Sequence, residues 1–440
     1  MSAPEPRPGS LGVLAGTVML VGAVLGPGVL TLPALAADAA GASSLLAWVL
    51  LLCASVPVAT TFAALGGALP DRGGVAHFAT LAFGPRRAAP VGWWFLAAVP
   101  TGVVAASLMG GHYVAAALGL APERAFWIGT AILGASFSVN ALGLRATGRT
   151  QVITAGVLVA LLVPMIAVSL GRMRPEAFSP FAPGGWTGVG TAASLLFFAF
   201  AGWEAATHLS ADLRDPRRTL RRSTLLALGV IILLYSGLAL VAVGVLGDAA
   251  GDTPVPLLVL MRGAFGPVGT AFTAVAALLL TSGAINVYLA SGARLGAALG
   301  TSGMLPRVLV GRTTPGREPR RSLAFLAGCC TIVAIPVAAD AVTVDWLVRG
   351  TSALLISVSL AGTAAAVWLL RDGPRRVAGV ASVLLGILLL ASGPFLLLPA
   401  GVGAVALGVG SRRPRAAGPP PSAVDGRARN VDLHRVRGCR

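Results

Sequence analysis

The 440-residue sequence contains no lysine, so all 33 of its Lys-plus-Arg residues are arginine. It is poor in charge altogether, at 11%, with 16 acidic residues, four histidines and four cysteines. A soluble domain would carry about a quarter of charged residues, so this scarcity excludes a soluble globular class. The cysteines exclude a disulfide or metal framework. Cys53, Cys329 and Cys330 fall in apolar stretches, Cys439 lies near the C-terminus, and no CxxC spacing occurs. His77 and His434 lie in a loop and in the terminal segment, and there is no GxSxG or HExxH motif. Little remains from which to build a nucleophile–base pair or a hydrolytic metal centre. No enzyme, cofactor or metal is expected. A cleavable leader is not expected either, because the first apolar segment lacks the usual basic flank and a convincing cleavage site.

What is present is apolar sequence, 56% of the chain, with a mean hydropathy of +0.84. Apolar stretches of about 18 to 25 residues recur, separated by short charged loops, which is the pattern of an all-α polytopic membrane protein. About twelve transmembrane helices are predicted, at roughly 11–37, 43–69, 90–119, 125–143, 150–170, 187–211, 223–246, 265–293, 322–339, 342–370, 376–392 and 393–410. The net charge of +17 raises nucleic acid as a partner, but its distribution points to the lipid bilayer. With the N-terminus cytoplasmic, about 28 of the 33 arginines fall on the cytoplasmic side. The exceptions are Arg124, Arg172, Arg174, Arg262 and Arg349. The positive-inside rule then predicts a multi-pass protein of the cell inner (plasma) membrane with both termini cytoplasmic. Residues 1–10 read as a short cytoplasmic tail, 11–410 as the membrane domain and 411–440 as a disordered basic tail. No oligomeric state follows.

Two spans are interrupted. In the first, "VLGPGVLTLP" places Gly26, Pro27 and Gly28 near the middle; in the sixth, "FAFAGWE" places Ala201 and Gly202 there, with Glu204 just beyond. Glycine and proline are the costliest residues inside a helix. Breaks in spans one and six divide the chain into two five-helix halves, about 11–170 and 187–370, with two further helices at about 376–410. Five is odd, so the halves cross in opposite senses, as in an inverted-topology repeat.

The physics of a break gives each interruption a polarity. Beyond the first, the amides of Gly28, Val29 and Leu30 open a half-helix without intrahelical acceptors, at the positive end of its dipole, which suits a carboxylate. Pro27 has no N–H and only shapes the turn. Before the second, the carbonyls of Phe198, Ala199 and Ala201 lack partners, which suits an ammonium. Together they match a zwitterionic amino acid with an apolar side chain. The plain alternative is a pair of kinks repaired by neighbouring helices.

Glu204 is the sharpest single residue, since a carboxylate near the bilayer centre costs about 2.5–3.5 kcal/mol on insertion scales. His208 and Asp212 follow at helical spacing. The stripe is either a proton or water route to the cytoplasm, or Glu204 locks the unwound backbone while the other two sit in a wet vestibule. His112 and Tyr113 in the third span, and Ser282, Asn286 and Tyr288 in the eighth, either line the site or bond between helices.

Five stretches carry a family resemblance: "GAVLGPGVLTLP" (Gly22–Pro33), "LPDRGGVAHFATLAFGP" (Leu69–Pro85), "VGWW" (Val91–Trp94), "FFAFAGWEAATHLSADLRDPRRTLRRS" (Phe197–Ser223) and "SGARLGAALGTSGMLP" (Ser291–Pro306). Across about residues 10–370 the chain resembles permeases of the amino acid–polyamine–organocation superfamily. It looks most like bacterial exporters of L-methionine and branched-chain amino acids. The resemblance implies a five-plus-five inverted repeat, alternating access and a small-molecule substrate, a neutral apolar amino acid. It implies a carboxylate site at Gly26–Gly28, an amino-group site at Phe198–Ala201, Phe198 as an aromatic lid and Glu204 in gating. A proton is the expected coupling ion. Some proton-coupled relatives use a fifth-helix lysine, and the fifth span here has no basic residue, which leaves the coupling mechanism open.

Overall fold

The computed structural model describes residues 12–70, 74–143, 148–210, 215–306 and 319–411, together with Leu213 and Val308. The 1–10 tail, nearly all of the 411–440 tail and Asp212 lie outside the described residues.

The first pass is two helices in line, α1 (Val13–Val24) and α2 (Gly28–Ala40), and α3 (Ser44–Ala68) returns. A 10-residue helix, α4 (Gly74–Phe83), occupies what reads in sequence as loop. Then come α5 (Pro85–Ala117), α6 (Arg124–Leu142), α7 (Gly148–Leu170), α8 (Gly185–Phe200) and the five-residue α9 (Ala205–Leu209). The remainder is α10 (Pro216–Leu246), α11 (Pro256–Thr301), α12 (Arg320–Ala338), α13 (Val344–Leu369), α14 (Asp372–Ala391) and α15 (Leu397–Ser411).

Among the described residues, eleven segments are long and apolar enough to cross a membrane. One of them, Gly28–Ala68, joins α2 to α3 through the turn at Gly41–Ser43, whereas α1, with 12 residues, is too short alone. Each of the twelve expected spans is thus occupied by a helix or by two helix segments. The chain is a multi-pass α-helical membrane protein.

Several boundaries follow from local chemistry. Prolines at the first helical position start α5, α10 and α11, where the missing N–H costs nothing. Asp215 caps α10 by accepting from the Arg218 amide at 3.3 Å. The eighth span is longer than its hydropathy suggests: α11 runs 46 residues because a helical piece from Pro256 joins it across a kink at Gly266, φ 58°.

Burial separates core helices from outer ones. The most apolar windows of α5 and α13 are 67% buried, whereas those of α12, α14 and α15 are 22% buried and present an apolar outer face to lipid. Between membrane helices there is no hydrophobic drive, so close packing needs small residues. The α5–α6 crossing uses Gly111 and Gly129: a Cβ at Gly129 would stand 2.7 Å from the Ser107 carbonyl oxygen.

Candidate substrate site at two helix interruptions

α1 stops at Val24 because the backbone turns away at Leu25 (ψ 80°), and α2 begins at Gly28. The Val24 carbonyl, which would be the i−4 acceptor for Gly28, receives the Gly26 amide at 2.9 Å instead. Of the three amides expected to open α2, those of Val29 and Leu30 are engaged in short turns, donating to Gly26 at 3.3 Å and Pro27 at 3.0 Å. A tight first turn therefore narrows the expected donor set to Gly28.

At the second interruption α8 ends at Phe200, Ala201 is extended (ψ 141°) and Gly202 has φ 127°, a conformation costly for any residue with a Cβ. Half-buried Glu204 accepts the Gly202 amide through Oε2 at 3.0 Å. That amide would otherwise return to the Phe198 carbonyl, so Glu204 takes its donor away. The Ala205 amide bonds Gly202 at 3.0 Å and so deserts the Ala201 carbonyl. The Ala199 carbonyl is met from outside the helix, by the Tyr235 hydroxyl at 3.0 Å. The three carbonyls named from sequence have thus lost their helical donors, and one of them has been recruited by another helix.

The two interruptions touch. A Cβ at Gly202 would lie 2.5 Å from the Ala23 carbonyl oxygen, and one at Gly28 would lie 3.0 Å from a Phe198 ring carbon and 3.3 Å from the Ala199 Cβ. A Cβ at Gly26 would meet nothing within 4 Å, so open space adjoins the junction there. The Phe198 ring also faces α5 at Gly102, beside Thr351 of α13, whose hydroxyl bonds that of Thr101 at 2.8 Å.

Tyr235 of α10 joins the broken ends. Its fully buried hydroxyl lies 3.0 Å from the Ala199 carbonyl and 3.3 Å from that of Val24, at the ends of two different half-helices. Trp48 and Phe200 hold the ring edge-on at 5.2 and 5.1 Å. Sequence reasoning missed Tyr235. The available signal was a hydroxyl in the middle of "IILLYSGLAL", one of only three tyrosines in the chain, which needs an acceptor in that setting.

Tyr113 makes a comparable tie further along α2. Its hydroxyl donates to the Leu30 carbonyl at 2.6 Å and accepts the Leu257 amide at 3.1 Å, joining α2 to α11. Its neighbour His112 is half-buried on α5. Asn286 accepts from Asn140 of α6 at 2.9 Å, an interhelical bond, and Ser282 lies one turn before it, half-buried. The backbone of His208 belongs to α9, and its side chain lies outside the described residues. Among the described residues no group of three or more His, Cys, Asp or Glu is placed to hold a metal ion.

A bundle of apolar helices, two of them interrupted where they meet and one stabilised there by its own carboxylate, defines the class of helical membrane transporters. A family model described as amino acid permease matches residues 11–412, and the chain belongs to that family. It is 32% identical over 361 residues, 81% of this chain and 84% of the relative, to the amino acid permease YecA of Bacillus subtilis. It is 31% identical over 388 residues, 87% of this chain and 91% of the relative, to the L-methionine/branched-chain amino acid exporter YjeH of Escherichia coli. The branched-chain amino acid permease BcaP of Bacillus subtilis is 28% identical over 278 residues, 58% of this chain and 59% of the relative. The protein is a transporter rather than an enzyme, and membership of its family implies a small-molecule substrate of the amino acid kind.

Proposed function

We propose that the protein exports neutral, apolar L-amino acids of the methionine, leucine, isoleucine and valine type by alternating access, in exchange for protons. The observation that carries this reading is the contact between the two interruptions, with Gly28 at the start of α2 against Phe198 and Ala199 at the end of α8. One end offers a positive helix terminus and an amide for the substrate carboxylate; the other offers the Phe198 and Ala201 carbonyls for its ammonium. Gly26, Val29, Leu30 and Gly202 shape this cradle, and Phe198 closes over it. Glu204 is the gating and coupling carboxylate, with His208 next on its helix. Apolar surroundings with one carboxylate favour a neutral side chain over a cationic one, and the names carried by YjeH and BcaP agree with that class. The interruptions fall in the first and sixth of twelve passes, which supports two inverted five-helix halves. The arginine distribution supports cytoplasmic termini.

Import or exchange is the second reading, favoured by the permease names of YecA and BcaP. One assay separates them. Purified protein in liposomes is loaded with radiolabelled methionine, leucine, lysine or glutamate under an imposed proton or sodium gradient. Methionine and leucine should move against their gradients when protons flow the other way, with lysine and glutamate inert. Movement in the same direction as protons would make the protein an importer, and transport of lysine alone would overturn the substrate class.

A further inference from the structure

Some 15 Å along α2 from the interruption, at about 1.5 Å per residue, a cavity of about 380 Å³ opens between the C-terminal end of α2, the start of α8 and the start of α13. Its volume falls within the roughly 300–1,000 Å³ of small-molecule sites. Asp38, Thr187, Gly188, Asp345 and Arg349 are among its lining residues. We propose that this outer mouth is a second amino acid site, in which Arg349 takes the substrate carboxylate and Asp38 its ammonium. The inference rests on the zwitterionic substrate and cytoplasmic termini of the preceding section.

Arg349 is held ready. Its Nε donates to Asp345 one turn earlier on α13, at 3.2 Å, and its guanidinium carbon lies 5.6 Å from the centre of the Phe395 ring. Those contacts fix the stem and plane of the side chain and leave its terminal amino groups without a hydrogen bond among the described residues. A planar fork of that kind matches a carboxylate. Asp38 is exposed on α2 and has no hydrogen-bond or ion-pair partner among the described residues. The cavity therefore presents an open donor fork and an open carboxylate, the two groups a zwitterion needs.

Helix polarity reinforces the pairing. Asp38 stands in the last turn of α2, at the negative end of its dipole, which favours an ammonium. The opposite wall is the N-terminus of α8, the positive end of a 16-residue helix, which favours a carboxylate. The two helices approach closely there because of Gly188: a Cβ on it would stand 2.6 Å from the Ala39 carbonyl oxygen. The same two helices thus meet the substrate at both sites with opposite ends. At the interruption the carboxylate belongs to α2, and at the mouth the ammonium does, so a substrate passing between the sites reverses its head group.

The test is the amount of radiolabelled L-methionine, and separately L-leucine, bound at saturation by the full chain in lipid nanodiscs. Wild type should bind two molecules per chain. Arg349→Gln and Asp38→Asn, on different helices, should each raise the dissociation constant of one site about tenfold, so that at concentrations that just fill both wild-type sites one molecule stays bound and the second is held only about half the time. Gly28→Leu should leave the molecule at the mouth. One molecule in wild type, lost in Gly28→Leu and untouched by the mouth variants, overturns the mouth site and keeps the interruption site. One molecule lost only in the mouth variants does the reverse. No binding of either amino acid by wild type overturns both. If Arg349→Gln fails to fold, Asp38→Asn and the wild-type stoichiometry still decide.

Discussion

Glu204 has two duties that a single substitution can separate. As a hydrogen-bond acceptor it holds the Gly202 amide at 3.0 Å and keeps α8 unwound; as an acid it can carry a proton. Glu204→Gln keeps an acceptor oxygen of the same reach and removes the ionisable proton, whereas Glu204→Ala removes both. If the residue couples transport to protons, Glu204→Gln should bind methionine as wild type does and lose the pH dependence of transport, while Glu204→Ala should lose binding as well. Equilibrium binding and pH-resolved flux in proteoliposomes check this, and an unchanged pH profile in Glu204→Gln would remove the residue from coupling. Tyr235 acts only through the backbone. Tyr235→Phe leaves the Ala199 and Val24 carbonyls without its hydroxyl in a fully buried setting, a loss of about 1–3 kcal/mol. A lowered thermal midpoint is the expected readout, together with weaker methionine binding, because the freed half-helix ends no longer hold their relative position. Glu204 was legible in sequence because an acid in an apolar run demands a reason. Tyr235 was not, since its acceptors lie 36 and 211 residues away and no local pattern connects them.

At the scale of the element, the interruptions are built into the packing. Gly202 combines φ 127° with a backbone approach that leaves no room for a Cβ beside Ala23. Gly202→Ala should therefore cost at least about 1–3 kcal/mol through strain alone and push α1 and α8 apart. Membrane insertion should survive, because the spans keep their hydropathy. The measurement is wild-type membrane yield with lost methionine binding and a lower thermal midpoint; normal binding would mean that the two half-helices need not touch. The spans themselves were readable from hydropathy, and the interruptions from Gly–Pro–Gly and Ala–Gly within them. Other elements were not readable, for physical reasons. α4 is only 10 residues long and follows charged sequence, so it resembles a loop. The first piece of α11 ends at Gly266–Pro267, and that pair reads as the start of a helix although it is a kink between two. The amides of Val29 and Leu30 were expected to be open because a helix start leaves donors unpaired, and no sequence pattern reveals that this start closes into a tight turn.

For the whole molecule, the absence of lysine makes arginine the sole carrier of topology. Arg217, Arg218, Arg221 and Arg222 crowd the first turns of α10; Arg320 and Arg321 begin α12; Arg375 and Arg376 open α14. These helix starts share one side of the membrane when passes are counted alternately, and the loops between α3 and α5 and between α6 and α7 fall on the same side. If that side is the cytoplasmic one, as the proposed function has it, the mouth lined by Asp38 and Arg349 faces outward and the proposed export ends there. Cys439 supplies a natural probe of this orientation. In a variant with Cys53, Cys329 and Cys330 replaced by serine, a membrane-impermeant maleimide should label Cys439 in inverted vesicles and not in intact cells. With Cys439 also replaced by serine, a single new cysteine at Thr187, on the mouth, should give the opposite pattern. Labelling of Cys439 from outside intact cells would reverse the whole assignment, turning the mouth into a cytoplasmic entrance, and transport read as export would then begin at the Arg349 site.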